Sequence, residues 1–471
     1  MHKFDTKVQV IKYKVLKAVA KYAWSDELLE KILEIPEKIA PGKTPTMRCC
    51  VYKERAIIGE RVKLAVGGNR FNKKVIQVID IACNDCPTGG YEVTSACRGC
   101  LAHRCAEACK RGAITFGADQ KAYIDKSKCV ECGMCSKACP FNAISNYKRP
   151  CEMSCRLGAI SMGDEKEAKI DYNKCVSCGA CVYMCPFGAI TDRSYILDVI
   201  DIIKNKAEGH SVNALVAPSI SSQFGYAKLG QIMTAIKKVG FDEVVEVALG
   251  ADMVADGESK ELAEKGFLTS SCCPAFVAYV EKNFPALKDN ISHNLSPAGT
   301  IAKYLKEHDP ECKNIFIGPC TAKKSEFQRD EYAGLIDSVI TFEELQALID
   351  SKDIDVNSLE ETDINHASYF GRIFARSGGV SEAVSEALKE QNSDFELKPI
   401  ACSGIDDCKK ALMLAARGLL PNNFIEGMAC VGGCINGAGC LTHGDKNKTV
   451  TDNYGKESKY YDIATALNDV K

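Results

Sequence analysis

Sixteen cysteines fall between residues 83 and 185, and their spacing restricts this chain more than any other feature. Cys129, Cys132, Cys135 and Cys139 stand in CVECGMCSKACP, and Cys175, Cys178, Cys181 and Cys185 stand in CVSCGACVYMCP. Both read C-x2-C-x2-C-x3-C-P. A third copy, CRGCLAHRCAEACKRGAI, supplies Cys97, Cys100, Cys105 and Cys109 with one spacer lengthened, and its tail RGAI echoes FNAI after Cys139 and FGAI after Cys185. A fourth copy is split, with Cys83 and Cys86 in CNDC and Cys151 and Cys155 in CEMSCRLGAI. Disulfide frameworks belong mainly to short secreted chains. Here the cysteines sit in a 471-residue chain whose charged amino terminus, MHKFDTKVQVIKYK, lacks an apolar leader pattern. The runs therefore point to metal ligands, with disulfides as the bland alternative.

The complete runs have the spacing of bacterial ferredoxins. Three cysteines on one tight loop reach three corners of a cubane, while the fourth, at the head of the next helix, points to a second cluster, so such runs work in pairs. Sixteen cysteines make four [4Fe-4S] sites. The crossing rule joins Cys97, Cys100 and Cys105 with Cys139, and Cys129, Cys132 and Cys135 with Cys109. It joins Cys175, Cys178 and Cys181 with Cys155, and Cys83, Cys86 and Cys151 with Cys185. One ferredoxin-like unit, 97 to 139, is then nested inside another formed by 83 to 86 and 151 to 185. This resembles the four-cluster electron-transfer subunits of membrane oxidoreductases. Structural zinc at the split motif is an alternative, because cysteine pairs at that spacing also suit tetrahedral zinc. An array of this kind moves single electrons, and something downstream must use them.

From about residue 195 the cysteines become sparse and the pattern turns to alternating α/β. VNALVAPSI, EVVEVAL and NIFIG read as short buried strands followed by loops and helices, an α/β arrangement with its site at the strand ends. Length and a 46% hydrophobic content allow two or three folded domains. We divide the chain into a basic helical or mixed module at 1–80, the ferredoxin-like segment at 81–192 and a catalytic domain at 193–471. Residues 1–80 hold 17 Lys plus Arg against 9 Asp plus Glu, a difference of +8, which reads as a solvated helix face more readily than as a dock for an acidic carrier. Residues 350–365, DSKDIDVNSLEETDIN, look like an acidic surface insertion. There is no apolar run long enough for a membrane span, no phosphate-binding glycine loop and no HxxxH or HExxH pair. The expectation is a cytoplasmic protein without nucleic acid, membrane or NAD partners.

Three loops carry the remaining chemistry: TSSCCPAF (269–276), GPCTAKKSE (318–326) and EGMACVGGCINGAG (426–439). In their order and cysteines they resemble the catalytic domain of the [FeFe]-hydrogenases, over most of residues 210 to 440. The resemblance implies two α/β lobes around an H-cluster, a [4Fe-4S] cubane bridged to a two-iron subcluster with carbon monoxide, cyanide and azadithiolate ligands. It implies Cys273, Cys320, Cys430 and Cys434 as cubane ligands, with the Cys434 sulfur bridging. Lys323 and the Ala217, Pro218, Ser219 turn would face cyanide, and Met428 would pack on the two-iron unit. Two adjacent thiols cannot serve one centre equally, because neighbouring side chains on an extended chain point apart. Cys272 aligns with the family's proton-transferring thiol, and the path would continue through Glu258, Glu261 and Ser292. Glu258 and Glu261 are three apart and share a helix face, although that spacing alone fits a solvated surface pair.

The resemblance implies reversible reduction of protons to dihydrogen, a ferredoxin or flavodoxin partner and maturation proteins that install the two-iron unit. An iron–sulfur assembly or carrier protein of the same fold, and a hydrogen sensor, are the rival readings. A scaffold has no use for a fifth cysteine beside the four. The chain departs from the family pattern in its extra serine before the paired cysteines, in Phe276 where tryptophan is frequent, in Gly318 where methionine usually packs, and in Ala298 where glutamine is frequent. Cys49, Cys50, Cys312, Cys402, Cys408 and Cys440 have no assigned role and read as core thiols, with Cys440 near the cluster.

Overall fold

The computed structural model describes residues 3–69, 71–87 and 89–470, so Met1, His2 and Arg70 of the basic segment lie outside the described residues. The cysteine loops turn through left-handed positions, Glu131 and Gly133 in one run and Ser177 and Gly179 in the other, and each enters a short helix, Met134–Ala138 or Ala180–Met184. The hairpin Ile114–Phe116 with Ala122–Ile124 belongs to an inner unit that is closed by antiparallel pairing of Tyr91–Val93 with Ile144–Asn146. The hairpin Ile160–Met162 with Ala168–Ile170 belongs to an outer unit, closed by Ile76–Val78 against Ile190–Asp192. The nesting expected from the cysteine tails is therefore present. Each unit has its own small core. Ile114, Ala122 and Ile144 pack with Cys105 and Cys135, and Ile76, Ile160 and Ile190 pack with Cys83, Cys151 and Cys185.

Beyond residue 193 there are two parallel sheets. The larger has strand order Glu243–Glu246, Val212–Val216, Lys313–Gly318, Ser338–Thr341. The smaller has order Leu268–Thr269, Phe424–Met428, Pro399–Ser403. The central strands Val212–Val216 and Phe424–Met428 are buried along their whole length, as parallel strands covered on both faces must be. EVVEVAL splits: only Glu243–Glu246 is strand, and Val247 begins the helix Val247–Lys265. A short apolar run cannot distinguish those two states by periodicity. That helix joins the lobes, since Val247, Ala248 and Leu249 belong to the larger core while Ala251, Val254, Ala255 and Leu262 belong to the smaller. It packs on the helix Pro297–His308 so closely that a Cβ on Gly250 would lie 2.2 Å from the Pro297 carbonyl oxygen.

The amino-terminal stretch does not form a module with its own core. The helix Lys7–Trp24 is started by a capping box at Thr6 and Gln9, and it buries Val15, Leu16, Val19 and Ala20 in the same core as the larger sheet. Ile58 and Val62 of the helix Val51–Ala65 join them. The reading of this segment as a solvated basic face is corrected at Lys12, which is 7% exposed and pairs with Asp192 and, at 2.6 Å, with Glu343. Fully buried Lys324 pairs with the same Asp192 at 2.8 Å and with Glu344 at 2.6 Å. Asp192, the last residue of the ferredoxin-like segment, thus sits between cations from the amino-terminal helix and from the catalytic domain. The acidic insertion is also anchored. Val356 and Ile364 are buried, and Gln231 and Thr234 side chains hold the backbone of 357–360. No described helix is long and apolar enough to cross a membrane.

Candidate active site

Because the strands of both sheets run parallel, the loops at their carboxyl ends gather into one crevice. Val212–Val216 delivers Ala217, Pro218 and Ser219; Lys313–Gly318 delivers Cys320 and Lys323; Leu268–Thr269 delivers Cys272 and Cys273; Phe424–Met428 delivers Cys430 and Cys434. A cavity of about 80 Å³ lies there, lined by Cys272, Cys273, Cys320 and Cys434. Ala217, Pro218, Ser219, Lys323, Ala298 and Met428 also line it. Cys430 instead lines a second cavity of about 580 Å³ with Cys155, Cys175, Cys178 and Cys181.

Burial pushes the Cys320 thiol up to about 12, with a further rise from Cys273, and raises Cys434 and Cys430, each further raised by Cys320 and Cys273. Four thiols crowded away from water resist ionising together unless positive charge is placed among them, as iron would do. Cys273 is raised by burial but receives the backbone N–H groups of Ala429, Phe276 and Ala275. Gly432 and Gly433 have φ of 84° and 97°, and a Cβ on Gly433 would meet Ser377 N at 2.7 Å. The Ser219 hydroxyl is buried with no hydrogen-bond partner, a spare donor on the cavity wall. Burial works against the Lys323 charge, but Glu326 at 2.6 Å outweighs it and keeps the side chain an ammonium. These donors fit a cubane with an anionic, hydrogen-bond-accepting group beside it.

In the ferredoxin-like segment the thiols sense one another across the sequence, Cys181 sensing both Cys155 and Cys151. After burial, Cys155 is among the charges that raise Cys175, Cys178 and Cys181, and Cys185 is among those that raise Cys83, Cys86 and Cys151. In the inner unit Cys105 senses Cys100 and Cys139, while Cys135 senses Cys129 and Cys109. Cys178 also senses Cys273, which brings the outer unit against the candidate cubane. The Thr321 hydroxyl donates to the Ser177 carbonyl at 2.8 Å, and a Cβ on Gly179 would meet Thr321 at 2.4 Å and Ala438 at 2.5 Å.

The helix Val247–Lys265 presents Glu258 and Glu261 on one face. Fully buried Glu258 accepts from the Ser271 N–H at 3.0 Å and from the Ser271 hydroxyl at 3.3 Å. Burial pushes its carboxyl up to about 7, with a further rise from Glu261, against the lowering effect of Ser271 and Ser292. The single Ser292 proton goes to Glu261 at 3.0 Å, which leaves Glu258 Oε2 without a partner. Glu261 reaches the exterior, paired with Lys265 at 2.8 Å and bonded to the His293 N–H, contacts that hold it below the usual carboxylate range despite burial. Cys272 lines the cavity, and burial followed by the charge of Glu258 raises it well above an ordinary thiol, so it carries its proton.

Sequence reasoning missed Ser271, the extra serine, which is the group that binds Glu258. Doubling the serine in TSSCC was the available signal. It also missed Thr321, Lys324 and Phe316. A Cβ on Gly318 would lie 2.5 Å from the Phe316 ring, so Phe316 occupies the space beside that departure from the family pattern. Phe276 packs on Gly427, where a Cβ would meet its ring at 2.4 Å. Of the unassigned thiols, Cys312, Cys402, Cys408 and Cys440 are buried as expected, and Cys440 contacts the Cys434 carbonyl at 3.8 Å. Cys49 is exposed and Cys50 caps the helix Val51–Ala65, which corrects their reading as core residues.

Residues 210–438 match the family described as iron only hydrogenase large subunit, C-terminal domain, and residues 122–145 and 168–191 match the 4Fe-4S binding domain. Iron hydrogenase 1 of Clostridium pasteurianum is 32% identical over 277 residues, 49% of this chain and 48% of the relative. The cytosolic Fe-S cluster assembly factor NAR1 of Eremothecium gossypii is 25% identical over 295 residues, 48% of this chain and 65% of the relative. The chain spans about half the length of the first of these and under two thirds of the second. Among solved structures, an [FeFe]-hydrogenase studied for oxygen inactivation of its H cluster covers 59% of this chain and 93% of its own, at 20% identity and a TM-score of 0.49. A variant of the [FeFe]-hydrogenase HydA1 from Chlamydomonas reinhardtii covers 58% and 93% at 20% identity and a TM-score of 0.45. With both matches in place, residues 210–438 are an [FeFe]-hydrogenase-like domain, preceded in this chain by a ferredoxin-like segment with 4Fe-4S motifs.

Proposed function

We propose that this protein interconverts protons, electrons and dihydrogen. The observation that carries the reading is Glu258, a fully buried carboxyl near neutrality with one unpaired oxygen, placed between the cavity thiol Cys272 and the surface carboxylate Glu261. A site that only stores or passes on a cluster needs four ligands. It has no need for a protonated fifth thiol with a buried carboxyl behind it, which is costly to maintain.

On this reading Cys273, Cys320, Cys430 and Cys434 would hold the cubane part of the cofactor. Ser219, Lys323 and the Ala217 and Pro218 backbone would hold the cyanide groups, with Met428 packed beside them. The bound cofactor supplies the redox chemistry of dihydrogen. The chain supplies the protons. The Cys272 thiol holds one at the cavity wall, and Glu258, near neutrality, can take or return it at ordinary pH. Rotation of the Ser292 hydroxyl between Glu261 and Glu258 passes it on, and Glu261 exchanges with solvent beside Lys265 and His293. The sixteen cysteines of the ferredoxin-like segment would hold accessory clusters that supply electron transfer with a ferredoxin or flavodoxin, and Cys178, which senses Cys273, stands at their catalytic-domain end. Maturation proteins would install the two-iron unit.

The second reading, an iron–sulfur assembly factor, is favoured by the similarity to NAR1 proteins. An infrared spectrum of anaerobically matured protein separates the two. Metal-bound carbonyl and cyanide bands that shift under hydrogen are the expected result, whereas iron-replete protein without such bands after verified maturation would leave the assembly reading.

A further inference from the structure

The lengthened spacer of the third cysteine run has no part in the function proposed above. Where the sister runs place two residues between the second and third cysteines, this one places four, Leu101, Ala102, His103 and Arg104. The added length does not collapse into the unit. His103 adopts φ 43° and stacks on Phe116, ring centroids 3.7 Å apart and planes 15° from parallel, which pins the base of a bulge. Leu101 at its tip is 98% exposed. A single exposed leucine is ordinary on a protein surface, and Leu29 and Leu33 are exposed too, so it is the charge around this tip that argues for a partner.

The surroundings say what kind of partner fits. Arg98, Arg104, Lys110 and Arg111 are all exposed, against one carboxylate in 97–111, Glu107, so four cations and one anion give the stretch +3. Among the described residues none of the four cations has a carboxylate partner. The second cysteine loop of the outer unit is used differently: Val176, one residue after Cys175 as Arg98 is after Cys97, is 5% exposed and packed with Phe276 and Ala322 of the catalytic domain. Hence one end of the cluster series is sealed against the candidate cubane. The described residues of 97–139, by contrast, make no hydrogen bond to the catalytic domain.

From this juxtaposition of a pinned apolar tip and a ring of free cations over the Cys97, Cys100, Cys105 and Cys139 site, we infer that the bulge is the docking element for a small acidic ferredoxin. The inference rests on the electron-transfer part of the reading above and is independent of what the cavity does with the electrons. The step is a single electron transfer. A reduced carrier cluster is oxidised, the accessory [4Fe-4S] cluster is reduced, and no bond forms or breaks. The cations would steer the approach and Leu101 would seal the contact.

The test uses the full-length, cluster-loaded protein in rapid mixing with a reduced acidic two-cluster bacterial ferredoxin, following bleaching of the protein's own accessory clusters. Parallel reduction by light with deazaflavin, a small reductant that needs no dock, provides the control. The double reversal Arg98→Glu with Arg104→Glu should slow reduction by ferredoxin about tenfold or more at low salt and flatten its salt dependence, with deazaflavin reduction unchanged. Leu101→Ser should weaken saturation by ferredoxin while keeping the salt dependence. Wild-type rates with ferredoxin in both variants would overturn the dock. Slowing by ferredoxin and deazaflavin alike would overturn it too, because the cations would then only be balancing cluster charge. As the readout is accessory-cluster reduction, a protein that makes no dihydrogen can still pass or fail.

Discussion

On the proposed function, Cys272 and Glu258 are the residues on which the proton path would stand. Cys272→Ala should leave iron content and the infrared bands intact and lower dihydrogen turnover by about 10²–10⁴, the usual contribution of a positioned proton donor; undiminished turnover would exclude the relay. For Glu258 the sign follows from burial, which raises its carboxyl from 4.5 to about 7. Between those values the folded state binds more protons than the unfolded, so this group's stabilising contribution is complete below about 4.5 and disappears as pH rises through 7, a change of roughly 3 kcal/mol. Glu258→Gln should remove that slope from denaturant titrations across this range. In turnover assays the wild-type rate of dihydrogen evolution should fall as pH rises through about 7, and the glutamine variant should be slow at every pH. The family resemblance of the loops pointed to these two residues, whereas the three-residue helical spacing alone fits a solvated surface pair and did not reveal that Glu258 is fully buried. The part played by Ser271 was not legible either, because it depends on one hydroxyl and one N–H meeting a carboxylate thirteen positions earlier in the chain.

Each functional loop is held by the element that precedes it. Parallel strands give the crevice its ligands, and the two sheets meet there because the helix Val247–Lys265 belongs to both cores. Gly179 closely constrains how the ferredoxin-like segment meets the catalytic domain, with φ 77° and with Thr321 and Ala438 within 2.5 Å of where a Cβ would sit. Gly179→Ala adds a left-handed conformational cost of about 1–2 kcal/mol to that clash. We expect it to displace the Cys175, Cys178 and Cys181 loop and lower iron content by one accessory cluster while the inner unit keeps its own. Full iron content with normal electron transfer to the catalytic domain would show that the close approach is dispensable. Strand existence was readable from VNALV and NIFIG. The point at which EVVEVAL turns from strand to helix was not, since seven apolar-rich residues satisfy either period until the neighbouring strand claims Glu243–Glu246.

The amino-terminal helices and the catalytic domain share one core, and Lys12, Asp192, Lys324, Glu343 and Glu344 form one buried ionic group across three stretches of sequence. A chain beginning at residue 193 should therefore aggregate or melt without cooperativity, because it exposes the apolar surface that Val15, Leu16 and Val19 cover and leaves Lys324 without Asp192. A cooperative melt of that shortened chain by circular dichroism would show that the catalytic domain folds on its own. The boundary at residue 80 was drawn from a shift in charge, and charge alone does not reveal whether a lysine faces water or a buried aspartate. What the sequence by itself determined is the chemistry: cysteine spacing sets how many thiols a tight loop can present, and the order of three motifs sets which loops meet. Tertiary structure alone decided which side chains lose water. The near-neutral Glu258, the ion-paired Lys12 and the water-facing Leu101 all depend on contacts between distant segments, which local pattern does not encode.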